Sequence, residues 1–216
     1  MNFLRNVLIN ESLEKTLSRE RLDKYLQASS QDLNAAIGLY ERNTKLSEAF
    51  YTPLQCLEVC LRNSIHDAMT NAYGEDWFHG NNAPLESGSR NMILDAREEL
   101  KKDRKPVIAG QMLAELKFAF WVGLLGKPYD ATIWRKAIYK AFLAQGGKPR
   151  SVVHSRLNAI RRLRNRIAHH EPVFQKPTLL QSHDEIIEAI GWMCRNTSAW
   201  AKHHSRFHTV FSEPAS

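Results

Sequence analysis

An arginine, an asparagine and two histidines fall within seven residues of each other in Arg164-Asn165-Arg166-Ile167-Ala168-His169-His170, followed by Glu171-Pro172. Together these types can move protons and hold a negative charge. An unperturbed imidazole titrates near ~6.5, so both of its forms are at hand around neutrality. A guanidinium presents fixed donors that match phosphoryl oxygens. The surroundings fit such a substrate. The forty residues from Ala131 to His170 hold ten Lys or Arg and no Asp or Glu, whereas the other 176 carry 20 bases against 23 acids and are net −3. Basic charge without interleaved acid is what a phosphate backbone selects, because each neutralised phosphate releases condensed counterions. Arg156, Arg161, Arg162 and Arg166 are the candidate residues for contacting such a backbone.

Spacing by itself is weak evidence. With 17 Arg and 9 His in 216 residues, an Arg followed four to six residues later by a His is expected roughly twice by chance. More telling is where the arginine falls. On a helical wheel Val153, Leu157, Ile160, Leu163 and Ile167 form one apolar stripe, and Arg164 lies inside it, a costly place for a charge unless it is paired or lines a cleft. Arg161, Arg162 and Arg166 point to solvent. Asn165 and His169 share a face near the helix end that Pro172 enforces. Arg164 and His169 are ~140° apart on that wheel, so a joint site needs a cleft at the helix end or a second copy of the chain. His170 falls at the edge of the stripe, a structural position.

The elements that position these residues read at helical period throughout, with no strand signal, so the expectation is an all-α chain forming a single domain over 1–216. Helices are expected at Ser12 to Gln27, Gln31 to Asn43 (capped from Ser29-Ser30), Ser47 to Tyr73, 90–103, 107–124 (with Pro106 in the first turn), 130–144, 151–169 (with Ser151 as cap) and 180–201. A frayed tail is expected beyond the last. Residues 79–89 read as a loop, and Gly74 closes the long helix, whose core face is Phe50, Leu54, Leu57, Leu61, Ile65, Ala68 and Ala72.

Composition excludes several classes. Cys56, Cys60 and Cys194 form no disulfide framework, and neither they nor any His has the spacing of a structural zinc site, so reduced thiols in a cytoplasmic protein are expected. His203, His204 and His208 read as a tail able to bind metal only adventitiously. The apolar run from Phe118 to Gly126 is too short to span ~30 Å of hydrocarbon. No membrane partner, metal or cofactor is expected.

Arg164-Asn165-x-x-x-His169 resembles the signature of the HEPN superfamily, and Leu163 to Pro172 is similar in wording to its Abi-like (abortive infection) family. The resemblance extends, in the same order, to Ser18-Arg19-Glu20-Arg21-Leu22 with Tyr25, Ala36 to Tyr40, Leu46 to Tyr51, Glu58 to His66, Tyr73-Gly74 with Trp77-Phe78, and Phe118-Ala119-Phe120-Trp121 with Trp134. It covers about residues 18–175. Tyr40-Glu41-Arg42-Asn43 and Phe118-Ala119-Phe120-Trp121 depart from the family wording at packing positions.

The resemblance implies a HEPN-type helical bundle with additional helices and a metal-independent ribonuclease. Its catalytic residues would be Arg164, Asn165 and His169, supported by His170 and Arg62. It implies a homodimer, a possible cognate antitoxin, an anti-phage toxin role, and no action on DNA. It also places an acidic residue of the long helix near the motif, so that Glu58 would hold Arg164. From spacing alone, Glu58 and Arg62, one turn apart, make an intrahelical pair worth a few tenths of a kcal/mol. A catalytically silent HEPN module that binds RNA or a nucleotide, as sensor, antitoxin partner or scaffold, is the alternative.

Overall fold

A computed structural model describes residues 4–79 and 82–213; Gly80 and Asn81 of the expected loop lie outside the described residues. The chain is all-α, and no strand occurs among the described residues. Among the described residues, eleven α-helices follow in order: α1 (Val7–Leu17), α2 (Arg19–Ala28), α3 (Leu33–Ala49), α4 (Tyr51–Tyr73), α5 (Ser87–Lys102), α6 (Ala109–Glu115), α7 (Phe118–Gly123), α8 (Arg150–Ala168), α9 (Leu179–Met193), α10 (Arg195–His204) and α11 (Phe207–Ser212).

The central element is α4, which buries Leu54, Leu57, Leu61, Ile65 and Ala68 of the expected stripe, adds Met69 while Ala72 stays half-buried, and packs on α9 and α10. It ends at Gly74, whose φ of 89° suits a residue without Cβ. Val153, Leu157, Ile160 and Leu163 are buried along α8 and face the same core. A smaller core, Leu22, Tyr25, Leu26, Ala36 and Ile37, lies among α1, α2 and α3. Phe174 touches both cores and stacks on Tyr25 at 5.0 Å.

Several expected helices are interrupted, each for a local reason. The first splits at Ser18, where φ is 74° and the hydroxyl caps α2 by accepting from the Arg21 N–H at 3.2 Å. Capping at α3 falls to Asp32, which accepts from the Ala35 N–H, and not to Ser29 or Ser30. Pro106 precedes a helix that begins only at Ala109, and the expected 107–124 segment breaks between Glu115 and Phe118. At α8 the cap is Pro149, whose carbonyl takes the Val152 and Val153 N–H groups, in place of Ser151.

The expected helix 130–144 becomes a π turn (Asp130–Trp134) and a 3₁₀ turn (Ile138–Phe142). Here Tyr129, Ile133, Trp134, Ala137, Ile138 and Phe142 are all buried. On one regular helix they would spread over more than half the circumference, and local rewinding turns them inward.

The expected 180–201 helix breaks at Cys194, in extended conformation. Gly191 leaves room there for the Gln145 side chain, whose Nε2 would have to shift from the 2.6 Å at which a Cβ would meet it. The expected frayed tail is instead ordered helix. Phe207 is fully buried against Phe50, and Arg42 donates to the carbonyls of Phe211 and Glu213. No helix among the described residues is long and apolar enough to cross a membrane.

Candidate functional site

The arginine of the motif meets a carboxylate 106 residues away in the chain. Arg164 Nε donates to Glu58 Oε1 at 2.8 Å, and the two side chains keep 39 % and 28 % of their exposure. Glu58 is thus engaged across α4 and α8, and among the described residues no intrahelical pair with Arg62 forms. Screening at this exposure limits such a pair to about 1 kcal/mol or less; its consequence is orientation.

The pair lies in a groove of about 610 Å³ between α3, α4 and the end of α8. Its walls include Tyr51, Leu54, Val59 and Ile167, while Glu48, Glu58, Arg62, Arg164 and His170 supply the ionisable groups. Tyr51 is exposed here. Arg62 Nε is buried without a hydrogen-bond partner among the described residues. The two guanidiniums are matched in formal charge by the two carboxylates, so what the groove offers an anion is guanidinium N–H donors and not a net charge.

The two motif histidines lie on different sides of the helix end. His169 is the C-terminal cap residue of α8, exposed and outside the groove lining, in keeping with its angular offset from Arg164, whereas His170 lines the groove. The helix itself ends at Ala168. The His170 N–H bonds to the Ile167 carbonyl and the Glu171 N–H to the Arg166 carbonyl, the Schellman pattern, with His170 at φ 56° in the position that usually takes glycine. A left-handed conformation costs a non-glycine residue about 1 kcal/mol. Its carbonyl is held by Arg21 Nη1 at 3.0 Å.

What fixes this turn was not singled out by sequence. Asn43, 5 % exposed, accepts from the Val173 N–H at 2.6 Å and the Phe174 N–H at 3.2 Å. Arg166 donates to the Pro172 carbonyl and pairs with Glu171. The available signal was Asn43 itself, a polar residue within an otherwise apolar face of α3.

The cationic surface is less continuous than the sequence suggests. Arg156 pairs with Glu188 at 2.7 Å and lies near Glu185, Arg150 engages the Leu125 carbonyl and Asp130, and Lys136 sits over the Tyr73 ring. Acids distant in sequence enter the acid-free stretch in space. Arg156 and Arg166 are therefore internally engaged. Arg161 bonds Asn158, and Arg162 is exposed beside it.

His66 belongs to packing. It accepts from Trp77 Nε1 at 3.1 Å, and burial pushes its pKa below the usual histidine range. Cys56, Cys60 and Cys194 are free and half-buried. No family model, curated protein or solved structure matches the chain.

Proposed function

We propose that this chain is a metal-independent endoribonuclease, acting in the cytoplasm as the toxin of an abortive-infection or toxin–antitoxin anti-phage system of HEPN type, with a cognate antitoxin as a partner. The observation that carries the proposal is the groove in which Arg164, oriented by Glu58, and the unpartnered Nε of Arg62 bring guanidinium donors together beside the His170 imidazole.

In this scheme the ribose 2′-oxygen attacks its own phosphorus. The 2′-O–P bond forms, the P–O5′ bond breaks, and the products are a 2′,3′-cyclic phosphate and a 5′-hydroxyl. His169 takes the 2′ proton, with Asn165 orienting the phosphate or the ring, and the leaving oxygen is protonated. Arg164 offsets the charge gathered on the phosphoryl oxygens. DNA lacks the attacking group. His169, exposed at the end of α8, suits delivery to the groove of a second copy, so the site is completed in a homodimer.

The second reading, a silent HEPN module that binds RNA or a nucleotide, is favoured by one observation: within a single chain Arg164 lines the groove and His169 does not. One experiment separates the two. Purified wild-type protein in excess EDTA should cut single-stranded RNA to 2′,3′-cyclic ends and leave DNA intact, and His169→Ala should not cut. Equal inertness of both proteins across several RNA pools, with RNA binding kept, would move the assignment to the silent module.

A further inference from the structure

The packing of α11 assembles a second cluster of chemistry-bearing side chains, remote in sequence from the motif and unused by it. His183 on α9 is 1 % exposed, and its Nδ1 lies 3.3 Å from Asp184 Oδ1. His208 on α11 reaches the same carboxylate oxygen with Nε2 at 3.6 Å. The three donor atoms all lie within 4.8 Å of each other. Bond lengths of ~2.0–2.1 Å around a tetrahedral zinc ion place neighbouring ligand atoms about 3.3–3.5 Å apart, so two of the three edges already match. The exposed His208 side chain supplies the adjustment for the third.

The orientation of the buried ring is fixed by its surroundings. His183 Nε2 lies 2.8 Å from Ser205 Oγ, which also accepts from the Phe207 N–H at 3.3 Å. With Nε2–H donating to that oxygen, Nδ1 carries the lone pair and faces Asp184. An outer hydrogen bond that sets the tautomer of a ligating histidine is a recurrent feature of metal sites. The ring also stacks on Phe207 at 4.7 Å and 9°, with His208 edge-on at 4.8 Å. Among the described residues, the side-chain nitrogens that lie within 4 Å of the Asp184 carboxylate are those of His183 and His208.

We propose that His183 Nδ1, Asp184 Oδ1 and His208 Nε2 form a binding site for a divalent transition-metal ion of the zinc class, clasping α11 to α9 and leaving one coordination position open to solvent. Two imidazoles and one carboxylate select Zn²⁺, Co²⁺ or Ni²⁺ over Mg²⁺ or Ca²⁺, which take oxygen ligands. The clasp ties down a helix whose Phe207 packs on Phe50, the residue between α3 and α4. This site is independent of the ribonuclease proposal, and its test uses no RNA.

The full chain, stripped with chelator and dialysed, is titrated with ZnCl₂ by calorimetry and with CoCl₂ by visible absorption. One Zn²⁺ per chain and a Co²⁺ d–d band are expected, together with a rise in melting temperature of about 5 °C or more at a hundredfold excess over Kd. His208→Ala and Asp184→Asn, both at exposed positions that the fold does not depend on, should each weaken binding at least tenfold and abolish the thermal shift. The double variant His203→Ala/His204→Ala should bind like wild type. Absence of binding in the wild type overturns the site. So does binding that survives His208→Ala, or that is lost in the His203/His204 double variant with His208 intact.

Discussion

The groove beside α8 and the cluster between α9 and α11 are built from similar parts, imidazole and carboxylate, yet they attract opposite charges. In the groove Glu58 holds one of two guanidiniums, with Glu48 also on the lining, and its imidazole is carried on a strained turn. In the cluster one carboxylate, Asp184, faces two imidazoles, with the inner ring locked by stacking. A guanidinium stays charged and donates only, so its site takes an anion; a neutral imidazole offers a lone pair, so its site takes a cation. The charge state of the nitrogen decides which ligand each place accepts.

The contrast breaks most completely if the groove's guanidinium donors prove dispensable. Arg164→Ala and His169→Ala should each lower RNA cleavage by about two orders of magnitude or more, equivalent to ~3 kcal/mol of barrier. Neither should change the response to Zn²⁺, just as His208→Ala should leave cleavage intact. A groove variant that abolished the thermal shift would mean that the two places act as one.

Next in size is Asn43→Ala. It strands two backbone N–H groups, so urea unfolding should show a loss of about 3 kcal/mol, and cleavage should fall with it as the turn after α8 loosens. A loss below about 1 kcal/mol would mean that water replaces the amide.

Glu58→Ala should lower cleavage roughly tenfold, about 1.4 kcal/mol of barrier, while unfolding free energy moves by less than about 1 kcal/mol because the pair is partly solvated. Equal losses of rate and stability would reduce Glu58 to a packing residue. His170→Gly relieves the left-handed conformation and should raise stability by about 0.5–1 kcal/mol. Unchanged cleavage then leaves His170 a structural turn residue, whereas a loss of rate in a more stable protein gives its imidazole a part in the chemistry.

The smallest effect is a pH slope. Burial lowers the pKa of His66 below its ordinary 6.5, so below that pH the unfolded chain takes up a proton that the folded chain resists. The contribution of His66 is present above pH 6.5 and is lost as pH falls through the lowered value. His66→Gln, which keeps an acceptor for Trp77, should flatten the decline of melting temperature on the acid side; an identical decline would assign it to other groups.

The fold class was legible because the apolar stripes of α4 and α8 are long and regular, and Leu54 to Ile65 and Val153 to Leu163 face the core as their spacing requires. The breaks were less so. Ser18 and Cys194 end one helix by capping the next, and the 130–142 stretch is rewound to bury residues from more than half of a helical circumference, none of which hydrophobic periodicity carries. At the site, the stripe placed Arg164 against a partner, and the Glu58 contact anticipated from the resemblance is formed. The wheel also set His169 apart from Arg164 and His170 at the edge of the Arg164 stripe, as found, whereas the left-handed turn at His170 was not legible because the helix ends one residue short of the expected 169. The basic stretch was read as continuous because its neutralising acids, Glu185 and Glu188 among them, lie on α9. The tail seemed frayed because Phe207 and Val210 carry too short a pattern to signal burial alone.

Phe174 and Asn43 set an order of events during synthesis. Helices α1 to α3 emerge first, but the amide of Asn43 bonds to backbone 130 residues later, and the ring stacked on Tyr25 is that of Phe174. Closure of the smaller core is therefore a long-range step, slow for the same reason that non-local contacts are costly to form. The packing of α1 to α3 is thus completed only by backbone that follows it by 130 residues, and the turn that carries His170 is tied to the same contacts.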